Sequence, residues 1–228
     1  MLSVMNPKHT HAAIKVTSTY APWNDDPAFN EVYRLIHKLT LIDVYRLWEL
    51  WTLVQKSAAL QSGCLVEVGC WKGGSTVVIG KAARLSSIKE PLFVFDTFGG
   101  IPASMVGPAD PHYRGGEHGG VTKDEIFKRL ALHGVKNFQL FEGTFPHFNP
   151  FGPFHPIRFA HLDVDVYESA KQCTEAIFSR LVPGGMIVYD DYGFPTTPGV
   201  TRYVNELAAN TRYPVIHNLN GHAILIKT

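Results

Sequence analysis

The chain reads as an α/β protein with a mainly parallel sheet covered by helices on both faces, and three observations predict it. Short apolar runs that suit buried strands alternate with segments whose apolar residues recur every three or four positions. Several runs stop at acids, as in Phe159-Ala-His-Leu-Asp-Val-Asp165 and Met186-Ile-Val-Tyr-Asp-Asp191. A glycine-rich turn, Gly69-Cys-Trp-Lys-Gly-Gly74, joins another such run to a helix.

Composition narrows the class. The 228 residues, 45% hydrophobic and 18% charged, suit one sizeable core in an ordinary globule. With 21 Lys+Arg against 20 Asp+Glu, the net charge of +1 offers no general attraction for nucleic acid or an anionic membrane. Cys64, Cys70 and Cys173 form no paired framework or C-x-x-C motif, which favours reduced thiols and a cytoplasmic location. The first residues show neither the charged nor the apolar region of a signal peptide, and no apolar run approaches the roughly 18 residues of a membrane span.

Taken in order, residues 1 to about 27 lack periodicity and read as an irregular arm. From Pro27 to about Leu60, Val32, Leu35, Ile36 and Leu39, then Val44, Leu47, Leu50, Leu53 and Val54, mark two amphipathic helices. Tyr45, Trp48 and Trp51 on the second suit a core or a subunit interface. The first strand contains Glu67, which needs hydrogen-bond donors if buried, and a helix follows from Thr76 to about Leu85. Pro91 to Asp96 is the second strand; an acid there commonly receives ribose hydroxyls in doubly wound folds. Thr97 to about Gly120 is a long loop holding His112 and His118. Thr122 and Glu125 have the spacing of a capping box for a helix reaching His133-Gly134. A third strand, Asn137 to Phe141, ends at Glu142, and Phe145 to Pro156 reads as a loop. The Asp163 strand, a helix from Tyr167 to about Leu181, the Asp190 strand and a helix from Gly199 to Asn210 come next. Apolar runs flanking Asn220-Gly221 predict an antiparallel pair at the end.

Ligands in such sheets bind beyond the carboxyl ends of the strands, which is where the glycine turn after Glu67, Asp96, Glu142, Asp163 and Asp190 all fall. The acids repel one another at neutral pH unless a cation or a shared proton sits among them. A nicotinamide enzyme is disfavoured because Trp71, not glycine, stands two residues after Gly69.

Four stretches, Glu67-Val-Gly-Cys-Trp-Lys-Gly-Gly-Ser75, Asp96-Thr-Phe-Gly-Gly-Ile-Pro102, Asp163-Val-Asp-Val-Tyr-Glu-Ser169 and Asp190-Asp-Tyr-Gly193, resemble in order the motifs of the macrocin O-methyltransferase family. The likeness runs from about Leu47 to Asn210, with Val164 where the family often has glycine. It implies the class I methyltransferase fold, a seven-stranded Rossmann-like sheet with an antiparallel final strand. It also implies S-adenosylmethionine and Mg²⁺ as cofactors and a sugar hydroxyl of a small natural product as acceptor. Carried over by position, it puts the methionine end of the cofactor on Glu67, Gly69 and Gly73 with Ser75 in the same turn. Asp96 would bind the ribose, with Thr97 beside it and Glu142 completing the cofactor set. Asp163, Asp190 and Asp191 would hold the cation, leaving positions for two vicinal hydroxyls. Asp163 is the first candidate for the base and His118 the second, while Asp165 reads as a structural acid. Residues 1–60 are then a cap or interface segment and 61–228 the methyltransferase domain, with a homodimer or higher homo-oligomer allowed. A catechol-type enzyme and a non-catalytic nucleotide- and cation-binding module are the competing readings.

Overall fold

The computed structural model describes residues 11–12, 14–15, 17–146 and 155–228. Strands β1 (Cys64–Val68), β2 (Leu92–Asp96), β3 (Phe138–Glu142), β4 (Ile157–Leu162), β5 (Leu181–Tyr189), β6 (Val215–His217) and β7 (Ala223–Ile226) form one seven-stranded sheet in the order β3-β2-β1-β4-β5-β7-β6. The pairs from β3 through β5 are parallel, and β7 runs antiparallel to both its neighbours. The strand order reverses between β1 and β4, which makes their carboxyl ends the natural place for a ligand.

Helices α1 (Pro27–Ile36), α2 (Val44–Ser57), α3 (Gly74–Leu85), α4 (Lys123–Leu132), α5 (Tyr167–Phe178) and α6 (Pro198–Asn210) cover the sheet. Side chains alternate across each strand, so one face presents Leu65, Val94, Phe159 and Val188 to α1 through α4. The other face presents Val66, Phe95, Leu162 and Tyr189 to α5 and α6. Local chemistry starts the helices. Asp26 accepts from Phe29 N at 2.9 Å before Pro27 opens α1, and Asp43 accepts from Tyr45 N and Arg46 N at the head of α2. Thr122 and Glu125 form the expected capping box of α4.

The departures are at element ends. Helix α3 begins at Gly74 rather than Thr76, because Gly73 (φ 82°) already caps it. Helix α5 stops at Phe178, since Leu181 is already the first residue of β5 and pairs with Ile157. The terminal antiparallel pair forms as expected, with residues 218–222 between its strands and Gly221 at φ 104°. Loop 97–120 carries one 3-10 turn, Ala103–Met105, while most of the expected loop 145–156 lies outside the described residues. Cys64, Cys70 and Cys173 are free and buried. Among the described residues no helix is long and apolar enough to cross a membrane.

Candidate active site

The glycine turn is built from β1 outward. Gly69 adopts φ 84°, and a Cβ added there would lie 1.8 Å from the Asp163 carbonyl oxygen, so only glycine allows β4 to come this close. Trp71 follows with φ 43°, a left-handed conformation uncommon for a bulky residue. Asp96 holds the turn: its Oδ2 accepts from Cys70 N at 2.7 Å and Trp71 N at 2.9 Å, and its Oδ1 accepts from Phe98 N at 2.7 Å. Oδ2 has thereby used both its lone pairs, while Oδ1 keeps one with which Asp96 can still meet a hydroxyl.

A cleft opens over this turn. Gly69, Ser75, Asp96, Thr97, His118, Asp163, Asp165 and Asp191 line it, and the segment Leu39, Thr40, Leu41 and Ile42 ahead of α2 supplies an apolar wall. Gly73, Glu67, Glu142 and Asp190 stand outside that lining. Gly73 shapes the start of α3. Glu67 is fully buried and accepts from the Thr76 hydroxyl and, at 3.1 Å, pairs with His161 Nδ1; the donors its burial required come from the protein itself. Glu142 pairs in register with Asp96 at the end of β3, but its side chain is exposed.

The acids meet at the ends of β4 and β5. The main chain ties these ends together, with Asp163 N donating to Val68 O at 2.9 Å and Asp190 N to Leu162 O at 2.8 Å. One carboxylate oxygen from each of Asp163, Asp165 and Asp191 lies within 4.8 Å of the others. The expected trio of Asp163, Asp190 and Asp191 is therefore not the one that converges: Asp165, expected to be structural, lines the cleft in place of Asp190. Asp165 and Asp191 both adopt positive φ, 60° and 66°, and Asp165 N donates to Asp191 Oδ2 at 3.1 Å. Tyr113 donates its hydroxyl to Asp165 Oδ1 at 2.8 Å, and His118 Nε2 lies 3.8 Å from the same oxygen. Burial raises the Asp163 carboxyl well above the usual range, and repulsion from Asp190 and Asp191 adds to it. Asp191 is raised in the same way, by burial and then by Asp165 and Asp190.

Asp190 goes the other way. Arg46, 7% exposed on α2, donates from Nη1 to both its oxygens, at 2.8 and 2.7 Å. His222 Nε2 lies 2.9 Å from Asp190 Oδ1, at ion-pair distance though off the line of a regular hydrogen bond, while its Nδ1 pairs with Glu49 at 2.7 Å. Burial alone would raise Asp190; the contact and charge of His222, with the charge of Arg46, outweigh it and bring the carboxyl down to about 2. This buried group was missed in the sequence, although Arg46 sits four residues before Leu50 on the apolar stripe of α2, and a charge there needs a partner. His161 shares a strand face with Phe159, and His222 stands two residues ahead of Ile224, just before β7, a second overlooked signal.

Comparisons with known proteins agree with this architecture. Over 141 residues the chain is 33% identical to the 8-demethyl-8-(2,3-dimethoxy-alpha-L-rhamnosyl)-tetracenomycin-C 4'-O-methyltransferase of Streptomyces olivaceus, covering 57% of this chain and 53% of that protein. The chain thus spans about half the length of the curated relatives it matches. The structure of the O-methyltransferase NovP superposes with a TM-score of 0.72 at 22% identity, covering 83% of this chain and 82% of that one. The O-methyltransferase TomG of Streptomyces achromogenes, solved in complex with SAM, superposes at 0.54 with 16% identity, over 89% of this chain and 91% of that one. These likenesses establish the class I O-methyltransferase fold. A family model described as Macrocin-O-methyltransferase (TylF) matches residues 34–217, most of the chain, and the chain therefore belongs to that family.

Proposed function

We propose that this chain is an S-adenosylmethionine- and divalent-cation-dependent O-methyltransferase, acting in the cytoplasm on a hydroxyl of a sugar or other vicinal diol of a small natural product. The observation that carries the reading is the gathering of Asp163, Asp165 and Asp191 on the floor of the cleft, beside the glycine turn. A set of hard carboxylate oxygens suits Mg²⁺, and the raised carboxyls of Asp163 and Asp191 mark a cluster short of positive charge. Asp163 and Asp191 belong both to this cluster and to the family motifs and are the first ligands; Asp190, which Arg46 holds just outside the gathered trio, would have to turn from Arg46 to serve as the third, with Asp165 kept on Tyr113.

Gly69, Ser75, Asp96 and Thr97 would receive the sulfur nucleoside, with Gly73, Glu67 and Glu142 shaping or flanking its site. Bound cofactors supply an electrophilic methyl group and a positive charge that stabilises the acceptor oxygen as it loses its proton. The protein's part is placement and proton removal. Asp163 faces the cleft and is the first candidate for the base; His118, which lines the same cleft, is the reserve. Residues 39–42 line the cleft, in keeping with residues 1–60 acting as a cap over the domain formed by 61–228. A phenolic diol is the second reading, favoured by the apolar wall of Leu39, Leu41, Ile42 and Trp71.

Calorimetric titration of S-adenosylmethionine and S-adenosylhomocysteine, with and without Mg²⁺ and with an NAD control, tests the assignment. Binding of the sulfur nucleosides alone, with methyl transfer to glycoside diols that stops on chelation and in Asp163→Asn, is the expected result. Absence of binding under both metal conditions would overturn it, and a preference for catechols would move the acceptor to the second reading.

A further inference from the structure

Asp190 is the one acid of the Asp163–Asp191 group whose two oxygens are both committed to a buried cation. Arg46 reaches it from α2, across 144 residues of sequence, and the same side chain donates from Nε to Asp43 Oδ2 at 2.8 Å. Its guanidinium carbon also sits 4.9 Å from the centre of the Phe194 ring, so the group is clamped between two carboxylates and an aromatic face. Each carboxylate oxygen has two lone pairs. Asp190 Oδ1 faces both Arg46 and His222, while Oδ2 accepts from Arg46 alone and keeps one pair to offer. Without Arg46, a fourth carboxylate would join the three that already crowd one another on the cleft floor.

We infer that Arg46 is a built-in counter-ion of the acid cluster, which holds Asp190 in the cation-free protein and competes with a divalent cation for that carboxylate. The inference rests on the cation-binding reading above and deepens it. A neutral donor behind a metal ligand orients it and strengthens binding. Arg46 is itself positive and buried, so its repulsion of an arriving ion, poorly screened there, outweighs the orienting contact. Removing its charge therefore tightens cation binding and weakens the cation-free fold. Arg46 is a positioning residue, not one that touches the acceptor.

The test is Mn²⁺ binding followed by electron paramagnetic resonance, with melting temperatures recorded in chelator and in saturating Mn²⁺. Arg46→Met is expected to bind Mn²⁺ about tenfold or more tightly than wild type. Its melting temperature should fall in chelator and recover most of the difference in Mn²⁺. Arg46→Lys, which keeps the charge, should stay within about threefold of wild type, and Asp190→Asn placed on Arg46→Met should cancel the gain. Should Arg46→Met not fold, Arg46→Gln carries the same expectation, with circular dichroism reporting the fold. A folded, charge-neutral variant that binds Mn²⁺ no more tightly than wild type sinks the counter-ion assignment while leaving the cation site standing. Wild type that binds no Mn²⁺ sinks both.

Discussion

At the residue scale, two kinds of constraint shape the site, steric and electrostatic. Gly69 is the steric case. Its φ of 84° is unfavourable for any residue with a Cβ, and that atom would collide with the Asp163 carbonyl at 1.8 Å, so β1 and β4 would have to separate. Gly69→Ala should therefore destabilise the protein by about 2 kcal/mol or more and displace Asp163 from the cleft. Chemical denaturation and titration with S-adenosylhomocysteine check it; wild-type stability together with wild-type affinity would show that the turn relaxes freely. The electrostatic case was half legible. Acids ending apolar runs mark a charged site in any buried sheet, so Asp96, Asp163, Asp190 and Asp191 could be picked out without coordinates. Which way each carboxylate turns depends on partners distant in sequence. Asp96 spends its oxygens on the backbone of Cys70, Trp71 and Phe98, and Asp190 spends its own on Arg46.

At the element scale, caps and helix-period stripes carried most of the information. Asp26 does two jobs that spacing alone could not join: it caps α1 through Phe29 N and accepts from the indole Nε1 of Trp51 on α2 at 3.0 Å. Trp51 is fully buried, so Asp26→Ala would remove a cap and leave its N–H without an acceptor. We expect a loss of about 2 kcal/mol, larger than for a cap alone; a loss of less than about 0.5 kcal/mol in urea denaturation would mean that the two bonds contribute nothing to the α1–α2 packing. Trp51 and Tyr45 then separate what the sequence could only name together. The first is in the core, while the second is 48% exposed, stacking edge-on with Trp23 at 5.1 Å. Boundaries were less legible than elements, because α5 and β5 meet within a few residues and sheet pairing decides where one stops and the other starts.

At the scale of the whole molecule, the sheet makes one machine of pieces far apart in the chain. Residues 39–42 ahead of α2, the turn after β1, loop 97–120 and the ends of β4 and β5 all border a single cleft. Ligands that bind there stabilise the whole fold by mass action. On the proposed function, S-adenosylhomocysteine and Mg²⁺ at about 100 times their dissociation constants should each contribute about 2.7 kcal/mol. For a chain of this size either one raises the melting temperature by about 5 to 10 °C, and chelation reverses the Mg²⁺ share. A melting curve indifferent to both would contradict the proposal at this scale. The sequence by itself determined the order of strands and helices, the glycine turn and the acidic strand ends, because these follow from periodicity, backbone freedom and the cost of burying charge, all local properties. Only the tertiary structure decided that Asp165 joins Asp163 and Asp191 while Arg46 and His222 take Asp190, because pairing between buried charges is set by which side chains the packed sheet and α2 bring within a few ångströms.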